Sequence, residues 1–350
     1  MANPDNPTDT QTRGDTEHVS PDQLRDYVAG TAADTPTEEQ GPAGSQPTGA
    51  LAEHPRLKEF LFAAKRFLSN PLTIIGLVII IGFAFLAIFA PVLAPPPNAD
   101  NPYEMPHDGW TTAPSPPSAE HPFGTLEQQY DILYGIIWGA RNAFRVGLFV
   151  VAVNLAMGLV LGSLAGYFGG LVDEIIMRIA DIFYSIPFLV MAMALVVALG
   201  RGVESIVITL IVLLWPTYTR VLRSEILAVR ERDFVQAARA CGSGHLKIIV
   251  KHILPNSIYS VLIVASMQIG VTVIAAATLS FLGLGAEIGY ADWGQMVSSA
   301  RNWIIGPADN RLAYWFVVFI PGAAIALFVL GWNLLGDAAR DVFDPRMRRK

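Results

Sequence analysis

The sequence predicts an all-α, polytopic membrane protein with six transmembrane helices, preceded by a disordered acidic tail. Three observations carry that expectation. Of 350 residues, 52% are hydrophobic and only 15% are charged, against roughly 25% charged in an average soluble domain. The apolar residues gather in runs of about twenty, long enough to cross a bilayer core as helices. The charges are confined to the stretches between those runs, which leaves no soluble enzyme domain of any size.

The elements follow in order. Residues 1–52 are read as the acidic cytoplasmic tail. The first fifty residues hold nine acids and two bases, Arg13 and Arg25, a balance of −7, so the formal charge of −6 leaves the rest of the chain at +1. It is rich in Pro, Thr, Asp, Glu and Gly and has no apolar period, so it buries too little surface to offset chain entropy. No signal peptide is expected, because the first apolar run begins near Leu72. Residues 53–94 form a juxtamembrane segment and the first span, at 72–94. Residues 95–140 read as an extracytoplasmic loop that opens "APPPNADNPYEMPHDG". It turns helical at "YDILYGIIWGARNAF", expected to lie on the outer leaflet with Tyr134 and Trp138 at the interface.

Residues 141–336 form the core domain. Its spans are expected at 145–168, 184–200, 204–221, 257–284 and 313–335, with a cytoplasmic loop at 222–256. The third and fourth spans are short and joined by a turn at Gly200–Gly202. They also read as a re-entrant pair, although Trp215 and the arginines beyond Thr219 favour a full crossing. Residues 337–350 form a basic C-terminus.

Basic residues orient the spans. Counted beyond the tail, seventeen lie on the face shared by both termini and the 222–256 loop. Five lie opposite: Arg141, Arg145, Arg201, Arg301 and Arg311. Positive charge stays inside, so both termini and the loop are expected to be cytoplasmic in a multi-pass protein of the plasma or inner membrane.

The spans carry little chemistry. Ionisable residues in a bilayer are costly and usually functional, and the expected span interiors have essentially none. That counts against an ion-coupled carrier and against a membrane-embedded hydrolase. Asn154, Gln268 and Thr272 are candidates for a polar pathway; Gln268 and Thr272 share a helix face. Hydrogen bonding between helices accounts for the same residues equally well. Gly158, Gly162 and Gly166, spaced by four, form a small-residue face for close helix packing, with a subunit contact as the alternative. The single cysteine, Cys241, excludes an intrachain disulfide and reads as a small buried side chain.

The stretch "DFVQAARACGSGHLKIIVKHILPN", Asp233 to Asn256, is the most structured part of the cytoplasmic loop. Phe234, Ala237, Ala238 and Cys241 fall at i, i+3, i+4 and i+7 of one short helix. Its alanines leave a flat stripe that another surface can approach. Gly242 is expected to end that helix and Ser243 to cap the next. Leu246, Ile249, Val250 and Ile253 repeat the stripe, and burial of Leu246, Ile249 and Ile253 would contribute roughly 1.5–3 kcal/mol each. Pro255 stands where the fifth span begins and a missing donor does little harm. An interfacial helix with a basic rim of Arg239, Lys247 and Lys251 is the competing reading. The glycine joint and flat stripe suit a protein partner better.

"QAARACG" followed by "HILPN" resembles the EAA loop of binding-protein-dependent ABC importer permeases. Ala237, Ala238, Gly242, His252, Leu254 and Pro255 match the pattern, with Gln236 in place of the usual Glu. "HPFGT" (121–125), "GAR" (139–141), "GYFGG" (166–170), "LSFLGLG" (279–285), "WGQM" (293–296) and "NLLGDAARDVFDPRMRR" (333–349) resemble the dipeptide/oligopeptide/nickel branch. The likeness runs from about residue 70 to the C-terminus. It implies a type I importer permease fold, with a second, related permease completing the translocation pathway. It also implies two cytoplasmic ATPases and an extracytoplasmic solute-binding protein as partners, besides membrane lipid; nothing points to nucleic acid. Coupling to the ATPases would run through residues 234–255, with Gln236, Ala237, Ala238, Arg239, Gly242, Leu254 and Pro255 at the contact. This chain is not expected to be an enzyme. It has no GxxxxGK[ST] loop, so ATP and Mg belong on partner subunits and no cofactor or metal is expected here. The branch usually continues from "HPFGT" with Asp-x-x-Gly-Arg-Asp, whereas this chain reads "LEQQYD" and keeps only Asp131. An ion-coupled secondary transporter and a membrane scaffold or sensor subunit are the alternatives.

Overall fold

The computed structural model describes residues 70–109 and 111–343, together with Phe67. The expected tail and the basic residues 344–350 lie outside the described residues. Among those described, the chain is helical, with three isolated bridges in place of any sheet. Among the described residues five helices are long and apolar enough to cross a membrane, or six where a pair bent by 93° is taken as one broken span.

Helix α1, Pro71–Leu93, starts at Asn70, whose side chain accepts the Leu72 N–H. Pro71 follows at the position where its missing donor is harmless. Leu72, Val78, Ile81, Ile88 and Val92 are exposed along it, as a lipid- or partner-facing helix requires. Helix α2, Ile132–Phe168, is 37 residues long, which at 1.5 Å per residue is about 55 Å. It begins at Asp131, whose carboxylate accepts the Tyr134 N–H at 2.7 Å.

This long helix corrects the expected surface segment. Residues 132–144 do not lie on the leaflet as a separate piece but form the first turns of the same rod. Tyr134 and Trp138 are 5% and 2% exposed, and the Trp138 Nε1–H donates to the Ala94 carbonyl at 2.9 Å. The outer segment folds over them, so protein rather than headgroups covers these rings. A boundary between 140 and 141 therefore falls inside a helix.

The expected span at 184–200 is likewise corrected. Helix α3, Gly170–Ser185, and helix α4, Phe188–Leu199, meet at a 93° bend. Pro187 makes it, because a residue before proline avoids the helical region; Ile186 is extended, with φ −104° and ψ 133°. Arg220 pairs with Asp181, and Arg223 makes a bidentate pair with Asp173. These contacts tie α3 to helix α5, Val203–Arg230.

The module in the 222–256 loop comprises helix α6, Asp233–Ala240, helix α7, His245–Ile248, and a π-helical turn, Ile249–Ile253. Helix α8, Leu254–Phe281, continues from that turn. A short helix α9, Trp293–Ser299, and the long α10, Trp315–Phe343, complete the described fold. The core between α1, α2, α9 and α10 is aromatic. Phe83 meets Trp293 in a tilted contact at a centroid distance of 5.4 Å, while Phe83 and Phe144 meet Phe328 at 5.6 and 5.0 Å in the edge-on geometry that favours such rings.

Candidate functional site

The α6–α7 module is held by few side chains and presents many. Val235, Ile248 and Ile253 are fully buried and Ile249 nearly so, while Phe234, Ala237, Cys241 and Leu246 face outward. The first stripe thus points away from the protein, with Ala238 half-buried at its edge and Gln236 exposed. Cys241 is exposed, not buried as its neighbours suggested. The anchor is Val235, which the stripe pattern omitted.

The joint is a complete Schellman turn. The Ser243 N–H donates to the Ala238 carbonyl at 3.1 Å and the Gly242 N–H to the Arg239 carbonyl at 2.9 Å, the 6→1 and 5→2 bonds of that motif. Gly242 sits at φ +75° with open space around its Cα, so backbone conformation rather than crowding requires glycine. The expected cap at Ser243 is corrected: α7 is preceded by Gly244, with no side-chain cap.

The second stripe is also corrected. Leu246 and Val250 are 75% and 55% exposed, whereas Ile248, absent from the pattern, is 1% exposed. The π turn at 249–253 is the reason, since its wider winding breaks the 3.6-residue phase. Leu254 and Pro255 open α8 directly from this turn.

Two residues of the module, His245 and Arg239, bind it to the end of α2, and Arg230 at the end of α5 meets the same end. The Tyr167 hydroxyl lies 2.9 Å from His245 Nδ1. The Arg239 guanidinium lies over the Tyr167 ring at 5.4 Å, so this basic residue is engaged within the chain. Arg230 Nη1 donates to the Gly166 and Tyr167 carbonyls at 3.1 and 3.3 Å, satisfying acceptors that a helix end leaves open. Tyr167 lies in the "GYFGG" stretch that resembled the family, but no residue pattern assigned it a role at the module.

The glycine face of α2 meets α5. A Cβ on Gly158 would come within 2.5 Å of Tyr218 Cβ, one on Gly162 within 2.9 Å of the Thr219 carbonyl, and one on Gly166 within 2.8 Å of Ile226. Asn154 is fully buried on the same interface and donates to the Val150 carbonyl at 3.0 Å and the Leu210 carbonyl at 3.5 Å. Thr272 is fully buried and Gln268 half-buried on α8.

At and beyond the ends of the expected spans lies a polar layer that sequence reasoning passed over. Asp292 is buried; its Oδ1 accepts the Gln295 N–H at 2.9 Å and its Oδ2 accepts from Asn142 at 3.2 Å. Burial pushes this carboxyl up, and N–H bonds from Gln295 and Gly294 hold it back. Asp292-x-x-Gln295 is a capping signal legible in the sequence. Burial also pushes the Tyr290 hydroxyl up to about 12, against the opposing charge of Arg145. Arg145 itself pairs with Glu204 at 2.7 Å. His121 lies 2.6 Å from Asp131 and 3.4 Å from Asp108. Among the described residues no group of three His, Cys, Asp or Glu is arranged to hold a metal.

The sequence matches two families: the binding-protein-dependent transport system inner membrane component over residues 158–349, and the N-terminal TM domain of oligopeptide transport permease C over residues 62–114. A dipeptide transport system permease protein, DppC, of Alkalihalophilus pseudofirmus is 39% identical over 82% of this chain and 90% of the relative. The chain belongs to the binding-protein-dependent transport permeases. A probable D,D-dipeptide permease, DdpC, of Escherichia coli is 40% identical over 79% of the permease and 88% of the relative. A glutathione transport system permease protein, GsiD, of another Escherichia coli strain is 35% identical over 81% and 89%. Among solved structures, a chain of the inward-facing MetNI methionine ABC transporter matches 61% of the permease and 98% of its own length, at 19% identity and a TM-score of 0.48. The permease is a multi-pass inner membrane component of a binding-protein-dependent transport system, and its family is one of transport rather than catalytic components.

Proposed function

We propose that the permease imports peptides or a closely related small solute. It does so with a second, related permease, two cytoplasmic ATPases that carry ATP and Mg, and an extracytoplasmic solute-binding protein. Both termini and the 234–255 module face the cytoplasm, following the asymmetry of basic residues. The names of the relatives support the substrate class. The observation that carries the coupling role is the outward-facing stripe of Phe234, Ala237 and Cys241 on a helix pinned by Val235 and closed by a Schellman turn. A lipid-resting helix would need neither a rigid glycine joint nor a flat face. Gln236 retains a hydrogen-bonding amide at the position where the family usually carries Glu, so the ATPase contact there lacks a charge.

Substitution at the joint tests this reading. Gly242→Val places a β-branched residue at φ +75°, a conformation costing about 1–2 kcal/mol per L-residue. Ala238→Trp fills the flat stripe directly. Both variants are expected to insert in the membrane but to lose ATPase subunits on co-purification, and with them transport. Gly242→Asn, which tolerates left-handed backbone, is expected to keep most activity. Unchanged transport in Gly242→Val and Ala238→Trp would refute the role.

A further inference from the structure

Tyr167 occupies a position that the coupling role does not account for by itself. It is the penultimate residue of α2, is 5% exposed, and touches both short helices of the module. Its hydroxyl meets His245 Nδ1 at 2.9 Å, at the start of α7. The two rings pack edge-on, with centroids 5.6 Å apart and planes at 69°. Arg239, in the last turn of α6, lies over the same ring. Phe168 packs against both rings, with centroids 5.8 Å from His245 and 5.1 Å from Tyr167.

The remainder of α2 gives that contact its consequence. The helix runs without an internal proline from Phe168 back to Asp131, whereas α1, α5 and α10 contain Pro91, Pro216 and Pro321. Proline is a principal cause of sharp helix kinks, so α2, like α8, has no proline hinge at which a push could be absorbed. At its far end Asp131 caps the helix and contacts His121 in the outer segment. A displacement of the module therefore has a direct physical route across the molecule, through two adjoining side chains and a continuous rod of about 55 Å.

We propose that Tyr167 is the positioning residue that latches the α6–α7 module to α2, so that movement of the module by the ATPases becomes movement of α2. This rests on the importer reading above. The alternative, that Tyr167 only helps the module fold, predicts a different set of losses.

The test uses the complete transporter, with both permeases, both ATPases and the binding protein, reconstituted in vesicles. It measures uptake of a radiolabelled di- to tetrapeptide mixture together with ATP hydrolysis. Tyr167→Phe keeps the ring under Arg239 and against His245 but removes the hydroxyl. It is expected to retain full ATPase stoichiometry while peptide imported per ATP hydrolysed falls by at least about three-fold, the scale of one net hydrogen bond. His245→Ala should fall similarly, and the double variant no further, because both remove one shared contact. His245→Asn carries an amide where Nδ1 stands, in either donor or acceptor role, and should restore the ratio. An unchanged ratio in Tyr167→Phe and His245→Ala would overturn the latch. So would loss of ATPase subunits from either variant, which would assign Tyr167 to folding alone. A wild-type complex that imports no peptide with ATP would instead overturn the importer reading, and the latch with it.

Discussion

Asp292 is a carboxyl buried away from water, and its chemistry sets a pH dependence. Its folded-state pKa lies above the ordinary carboxylate value because burial disfavours the charged form. The unfolded chain then sheds this proton at lower pH than the folded one. Its contribution to stability is thus fullest below the unfolded pKa and is lost as pH rises through the folded value. Asp292→Asn keeps an oxygen able to cap α9 and removes the titration. The expected outcome is a flatter dependence of thermal stability on pH above the normal carboxylate range, measured on protein in detergent. A wild-type slope in the variant would contradict this. Gln129 makes a second residue-scale case. With Gln128 it holds φ near +60°, where the resembling family carries glycine. Its side chain accepts from Ser115 at 2.7 Å and Thr125 at 2.9 Å and donates to the Ala113 carbonyl at 2.5 Å. Gln129→Ala keeps the strained backbone and orphans these partners, so a loss of about 1–3 kcal/mol is expected, read as a lowered melting temperature.

At the scale of elements, the α2–α5 seam and the α7 turn make opposite points about small and large residues. Gly162 faces the α5 backbone closely enough that a Cβ would stand 2.9 Å from a carbonyl oxygen, so the neighbour cannot rotate aside. Gly162→Leu should separate the helices, costing at least the roughly 1–3 kcal/mol of core overpacking. The readout is reduced yield of folded protein. In α7 and the π turn, two residues of one apparent stripe should behave differently. Ile253 is fully buried and Leu246 is 75% exposed. Ile253→Ala is expected to destabilise by about 2–5 kcal/mol. Leu246→Ala should leave stability within about 0.5 kcal/mol. Equal effects in a thermal-shift comparison would mean that the module docks by its sequence stripe after all.

At the scale of the whole molecule, the described helices expose long apolar faces. On α4, Val190 and Val197 are more than half exposed, and on α3 Leu171 is 72% exposed. Lipid or a second permease must cover such surfaces. The importer reading predicts that uptake in vesicles requires ATP and survives an ionophore that collapses ion gradients. Uptake that needs no ATP and disappears with the ionophore would favour the ion-coupled alternative. A purified assembly with no ATPase would favour the scaffold reading.

Much was legible in order along the chain because its signals are local. Apolar length marked the spans, and Gly242 marked the joint, since glycine adopts φ +75° with least strain. Periodicity failed at 246–253 because the helix itself changes pitch there. Hydropathy failed at 170–199 because Pro187 bends a partly charged helix into an apolar one. Composition failed at Tyr134 and Trp138 because it cannot tell burial under a folded segment from burial under headgroups. The sequence by itself determined that this chain lives in a membrane, and its ordered motifs determined its family, since both are properties of contiguous residues. Only the tertiary structure decided that Tyr167 meets His245 across 78 positions, and that Asp292 and Asn142 share a buried contact across 150. Such pairings depend on how separate helices pack, which no stretch of sequence short enough to read contains.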